Sequence, residues 1–181
     1  SKIQLLYHGV PAVEKTNNCQ SYLADSKLNE NMFRLVIFGR IEKGKGQHLV
    51  VEAIKRLHEK GINIQLAIVG HIMDQEYYRS LQSTIKNNKL EGNVLYLGFH
   101  NNPSSIMACF NVVILATKCE TFGLVLPEAM RAGVTVIGSN CGGVRSEEHT
   151  SELQSHHDLV CRLLLSKRNC TVTITRSEAT T

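Results

Sequence analysis

The sequence predicts an α/β domain over residues 32–144, a Rossmann-like parallel sheet with helices on both faces. Three observations predict it. Short apolar runs rich in β-branched residues recur between Met32 and Asn140, each the length of a strand buried on both faces. Segments of helical periodicity separate them, as parallel strands require, because a crossover must carry the chain back between them. Turn signals fall at the junctions, with Gly61 ending one helical pattern and Asp74 opening the next.

Taken in order, Phe33 to Phe38 is the first buried strand. Gln47 to Lys60 sets Leu49, Val50, Ala53, Ile54 and Leu57 at helical spacing. Ile64 to Val69 is the second strand, and Asp74 then caps a helix whose Tyr78, Leu81 and Ile85 share one face. Val94 to Leu97, Val112 to Leu115 and Val134 to Ile137 are three further strands. Between them lie Ser104 to Phe110 and a helix from Leu124 to Arg131. Ligands of such sheets bind outside the carboxyl ends of the strands, so the loops after Phe38, Val69, Leu97 and Leu115 are the places to search.

Composition narrows the function classes. The chain has 181 residues, of which 43% are hydrophobic and 20% charged, an ordinary composition for a globular domain. No apolar run approaches the roughly 20 residues of a membrane-spanning helix, and the first residues lack the apolar core of a signal peptide. A net charge of +4 suits an anionic phosphate ligand and is too small to argue for nucleic acid. The six cysteines show neither a C-x-x-C pair nor metal-ligand spacing. Cys109 and Cys119 lie in or beside apolar stretches and read as reduced, buried thiols, from which a cytoplasmic setting follows.

Two loops carry chemistry. Gly39-Arg40-Ile41-Glu42-Lys43-Gly44-Lys45-Gly46 leaves a strand and enters a helix. Arg40 can fork two donors onto phosphate oxygens, Lys45 adds a point charge, and the glycines let backbone N–H groups approach an anion. Spacing alone leaves open a solvated basic turn. The loop also nearly matches the P-loop G-x-x-x-x-G-K-[ST], but Gly46 stands where the Mg²⁺-binding hydroxyl belongs. The strand in Asn111-Val-Val-Ile-Leu-Ala-Thr117 ends without the acidic metal ligand of an ATPase.

The second loop is Glu120-Thr-Phe-Gly-Leu-Val-Leu-Pro-Glu128. Backbone N–H groups around Gly123 and Leu124 can meet an anion, and a carboxylate on each side can accept from sugar hydroxyls. Either carboxylate alone has a plainer reading: Glu128 as an acid near a helix start, favoured by the dipole, and Glu120 as an exposed loop charge.

Together these segments resemble the retaining, family-four group 1 glycosyltransferases, which have two Rossmann-like domains (the GT-B type). Glu120 to Glu128 is similar to that family's E-x7-E signature, and Gly39-Arg40 with Lys45-Gly46 to its phosphate loop. Tyr7-His8-Gly9-Val10 resembles the lead-in to its C-terminal domain, with His8 where Asn is usual. Leu97-Gly98-Phe99, Ala129-Met-Arg-Ala132-Gly133 and Cys141-Gly142-Gly143-Val144 follow in the family's order. The resemblance covers Ile3 to Val144.

The resemblance implies transfer of a sugar from a nucleotide diphosphate-sugar, with retention at the anomeric carbon and without a metal or other cofactor. Arg40 and Lys45 would neutralise the diphosphate, Glu120 would contact the donor sugar, and Glu128 would hold the ribose hydroxyls. Gly39, Phe122, Gly123 and Leu124 would line the donor site, with His71 and Phe99 beside it. Residues 1–31 would lead in from an N-terminal domain that binds a carbohydrate, lipid or small-molecule acceptor, with peripheral membrane association open to the intact enzyme. The chain by itself would then be inactive. The rival expectation is a non-catalytic nucleotide-binding module or a degenerate P-loop-like ATP-binding domain.

Residues 145–181 break the pattern. Five basic and five acidic residues cancel there, and nothing in the segment joins it to the sheet. Arg145 to Leu165 resembles the translation, in one reading frame, of a sequencing-library adapter. A non-native tail after Val144 is therefore expected.

Overall fold

A computed structural model of the chain describes residues 19–120, 123–139 and 172–175. Five strands run parallel in the order β3-β2-β1-β4-β5: β1 is Phe33–Phe38, β2 Ile64–Val69, β3 Val94–Tyr96, β4 Val112–Leu115 and β5 Thr135–Ser139. The central strand pairs Val36 with Ala67 on one side and with Val113 on the other. The helices are α1 (Cys19–Asp25), α2 (Gln47–Glu59), α3 (Gln75–Asn87), α4 (Ser104–Met107) and α5 (Val125–Arg131).

Strand alternation sends each run's side chains to two separate cores. Val36, Phe38, Ala67, Val69, Val113 and Leu115 pack with Leu23 of α1, Met107 of α4 and Leu126 of α5. Leu35, Ile37, Leu66, Ile68, Val112 and Ile114 pack with Val51 and Ile54 of α2 and Leu81 of α3. Each fully buried aliphatic side chain contributes roughly 1.5–3 kcal/mol, which is why runs apolar at nearly every position form the middle of the sheet. Sequence order reverses between β1 and β4. A crevice outside their carboxyl ends is the topological switch point of such a sheet.

Several expected boundaries shift for local reasons. The last parallel strand starts at Thr135 rather than Val134, because the Val134 N–H donates to Ala129 O (2.9 Å) and closes the end of α5. The segment Ser104 to Phe110 is helical only to Met107; Cys109 and Phe110 then donate three residues back, to Ile106 and Met107. Asp74 does cap α3, its Oδ1 accepting from Tyr77 N at 2.9 Å. Asp74→Ala is expected to lower stability by about 1 kcal/mol, read as the urea midpoint at constant slope. An unmoved midpoint would show that the cap contributes nothing.

Three sequence expectations are corrected. Cys109 is not a free thiol: it forms a disulfide with Cys19, brought to it by α1, whose Tyr22 packs edge-on against Phe110. Cys119 is a free thiol but exposed, not buried. With Cys109 bridged and Cys119 exposed, these cysteines give no ground for a cytoplasmic setting. The tail is also joined to the sheet, since β6 (Val172–Thr175) pairs antiparallel with β5. Its four residues are all β-branched, which suits a strand. Among the described residues no helix is long and apolar enough to cross a membrane.

Candidate functional site

The loops after β1, β2, β3 and β4 meet at the carboxyl edge of the sheet and are tied together by their backbones. Gly39 N donates to Val69 O (2.9 Å), Ile41 N to His71 O (2.7 Å) and Gly70 N to Gly98 O (2.8 Å). The Gly39 carbonyl lies where a Cβ on Gly70 would stand, so the first two loops approach as closely as they do only because residue 70 is glycine. The β1 loop then forms a 3₁₀ turn, Lys43–Lys45, and enters α2 through Gly46.

The β4 loop supplies the other wall. Lys118 N donates to Gly44 O at 3.0 Å. The buried Thr117 hydroxyl donates to Cys119 O at 2.8 Å and lies 3.2 Å from Gly44 O. Ser139 Oγ donates to Thr117 O at 2.6 Å. Across this seam Lys45 Nζ meets Glu120 Oε2 at 2.8 Å, each side chain 19% exposed. Glu120 is thus not the exposed loop charge of the plainer reading, but half of an ion pair at the switch point.

Arg40 sits differently. Its side chain is 58% exposed and pairs with Glu42 at 3.1 Å, an arrangement that stabilises little and exchanges readily for an incoming anion. Gly39, Arg40, His71 and Phe99 line one cleft of about 250 Å³ together with Phe38 and with Val125 of α5. The His71 and Phe99 rings stack with centroids 3.7 Å apart and 17° between planes. Glu128 lies in the first turn of α5, and burial pushes its carboxyl above the ordinary carboxylate range. Gly123, with φ of 62°, begins the turn into α5, and Leu124 is exposed.

The structure therefore draws Lys45 to Glu120, and Gly39 and Arg40 to His71 and Phe99. Phe122 lies outside the described residues, as do Tyr7 to Val10, Cys141 to Val144 and the adapter-like Arg145 to Leu165. Sequence reasoning missed Gln47, Tyr77 and Thr117. Gln47 is fully buried, and its Nε2 donates to Arg40 O at 2.7 Å. Nothing in a glutamine at a helix start signals such a contact.

Comparison with known proteins agrees with this layout. The model of the family described as glycosyl transferases group 1 matches residues 20–152. N-acetyl-alpha-D-glucosaminyl L-malate synthase of Bacillus anthracis is 31% identical over 117 residues, 65% of this chain and 30% of that protein. N-acetylgalactosamine-N,N'-diacetylbacillosaminyl-diphospho-undecaprenol 4-alpha-N-acetylgalactosaminyltransferase of Campylobacter jejuni is 33% identical over 137 residues, 75% of this chain and 34% of that protein. The chain spans about a third of the length of these curated relatives.

Among solved structures, Anabaena HepE in complex with UDP-glucose superposes with a TM-score of 0.64 at 26% identity, over 71% of this chain and 35% of that one. The C-terminal domain of the group 1 glycosyl transferase LpcC from Francisella tularensis has a TM-score of 0.64 at 26% identity, over 75% and 72%. With the fold, the order of the loops and the family match in agreement, this chain belongs to the glycosyl transferases group 1 family.

Proposed function

We propose that this chain is the donor-binding domain of a glycosyltransferase that takes its sugar from a nucleoside diphosphate-sugar, with retention at the anomeric carbon. The observation that carries the reading is the Lys45–Glu120 pair at the switch point, with Arg40 on the same loop. Arg40 and Lys45 offset the diphosphate's charge and stabilise it as the bond from the anomeric carbon to the β-phosphate oxygen breaks. The acceptor's hydroxyl oxygen takes that place on the same face of the sugar, and its proton passes to the departing β-phosphate oxygen. Glu120 accepts from sugar hydroxyls once the diphosphate has drawn Lys45 away. Glu128 holds the ribose hydroxyls, and the stacked His71–Phe99 pair offers a flat surface to the base. HepE, whose structure contains UDP-glucose, makes uridine the first base to test.

The test is calorimetric titration of the purified chain with UDP and UDP-glucose in excess EDTA. Binding is expected there, since side-chain cations meet the diphosphate. Mg²⁺-dependent ATP binding with no response to UDP would overturn the reading in favour of a P-loop-like module. That rival is hard to build here, because a Cβ at Gly46 would run into the Ala116 carbonyl.

Glu128→Gln sharpens the test. Burial raises the folded pKa of Glu128, so between the unfolded and folded values the native state holds more protons. This group's contribution to stability therefore falls as pH rises through that window. Above it, Glu128→Gln is expected to leave the melting temperature unchanged or higher, while UDP affinity drops about tenfold. Joint loss of stability and affinity would mark Glu128 as structural.

A further inference from the structure

We propose that Gln47 and Tyr77 are positioning residues for the diphosphate, holding the Arg40 peptide so that its guanidinium reaches the ligand. The inference rests on the donor-binding reading above. Gln47 reaches back from the first turn of α2 and donates from Nε2 to Arg40 O at 2.7 Å. Its side chain is fully buried, so rotating the Arg40 carbonyl away would leave a buried amide and a carbonyl both without that bond. Gly46, which precedes α2, has no side chain to cap it. The Tyr77 hydroxyl from α3 accepts the His48 N–H instead, at 3.0 Å.

The same hydroxyl lies 2.9 Å from His48 Nδ1 and 3.4 Å from Gln47 Oε1, and its single proton serves one of them. Burial, then Lys118 and Lys43, hold His48 below its usual pKa, so the ring is neutral and its tautomer decides whether Nδ1 or Gln47 takes that proton. Tyr77 is itself fixed, because Asp74 Oδ1 accepts its N–H, and Met73 N and Asp74 N both donate to Ile41 O at 3.2 Å. The start of α3, the β2 loop and the β1 loop thus close a circuit around Arg40. The Arg40 side chain itself is left to the solvent, held by its ion pair with Glu42. A fixed peptide beneath a movable guanidinium sets where that group can reach.

A mutant cycle on UDP binding by the purified chain tests this. Gln47→Met keeps volume and removes the donor; it is expected to lower UDP affinity about tenfold while the circular dichroism spectrum stays native. In an Arg40→Ala background the same change is expected to alter affinity by less than about twofold, because the path through Arg40 is already cut. Tyr77→Phe is expected to show the same pattern with a smaller loss, and it carries the test if Gln47→Met does not fold. Additive losses, or UDP binding indifferent to both substitutions, would overturn this inference alone. Failure of the unaltered chain to bind any of UDP, GDP, ADP, CDP and dTDP would overturn the donor-binding reading with it.

Discussion

Replacing Lys45 with methionine is expected to weaken UDP binding by about a hundredfold, a loss near 3 kcal/mol. The reason is a change of sign at one place. In the structure Lys45 Nζ lies 2.8 Å from Glu120 Oε2, in a setting where each side chain is about four-fifths covered. A diphosphate entering there competes with Glu120 for the ammonium and wins on charge. Without the ammonium, the ligand meets the Glu120 carboxylate instead, and an uncompensated, partly buried charge is costly. Glu120→Gln is expected to do the opposite, tightening UDP binding by a few-fold because Lys45 no longer has a carboxylate competitor. Both titrations belong at one ionic strength, since screening changes such terms. Equal losses in the two variants would show that the pair holds the loops together rather than receiving a ligand.

The parts of this site that were legible in the sequence are those whose residue type is costly anywhere else. The β1 and β2 runs are apolar at nearly every position, as strands of a sheet covered on both faces are, so their being strands of a parallel sheet followed from composition. Arg40 and Lys45 beside glycines, and two carboxylates flanking Gly123, are equally hard to explain as core. Pairings were not legible. Cys19 and Cys109 are 90 residues apart, and an apolar neighbourhood suits a free thiol as well as a bridged one. That Lys45 meets Glu120, rather than Glu42 three residues before it, depends on β1 and β4 being neighbours. Only the order of strands reveals that. Gln47 and Tyr77 carried no signal because a polar side chain at a helix start reads as exposed unless the carbonyl it serves is known. The edge strand β6 was missed because an alternation of Val or Ile with Thr, preceded by a polar stretch, has no apolar run to mark it.

Gly46→Ser separates the two nucleotide-binding readings most sharply, because it completes the P-loop pattern on paper and breaks the loop in the structure. Gly46 has φ of 72°, where a residue with a side chain costs roughly 1–2 kcal/mol. Its added Cβ would also run into the Ala116 carbonyl, which is backbone of the β4 loop and has nowhere cheap to go. Together these are expected to cost about 3 kcal/mol, and the melting temperature of a chain this size would fall by roughly 6–12 °C. Pushing the β1 loop off the β4 loop also parts Gly44 from Lys118 and Lys45 from Glu120, so UDP binding is expected to disappear with no gain of Mg²⁺-dependent ATP binding. Gly44→Ala is the control. A Cβ there meets nothing within 4 Å, and stability is expected to hold within about 0.5 kcal/mol. If Gly46→Ser folded normally and bound Mg-ATP, the loop would be a P-loop missing only its hydroxyl. If both glycine variants lost stability equally, the contact with Ala116 would not be what fixes residue 46.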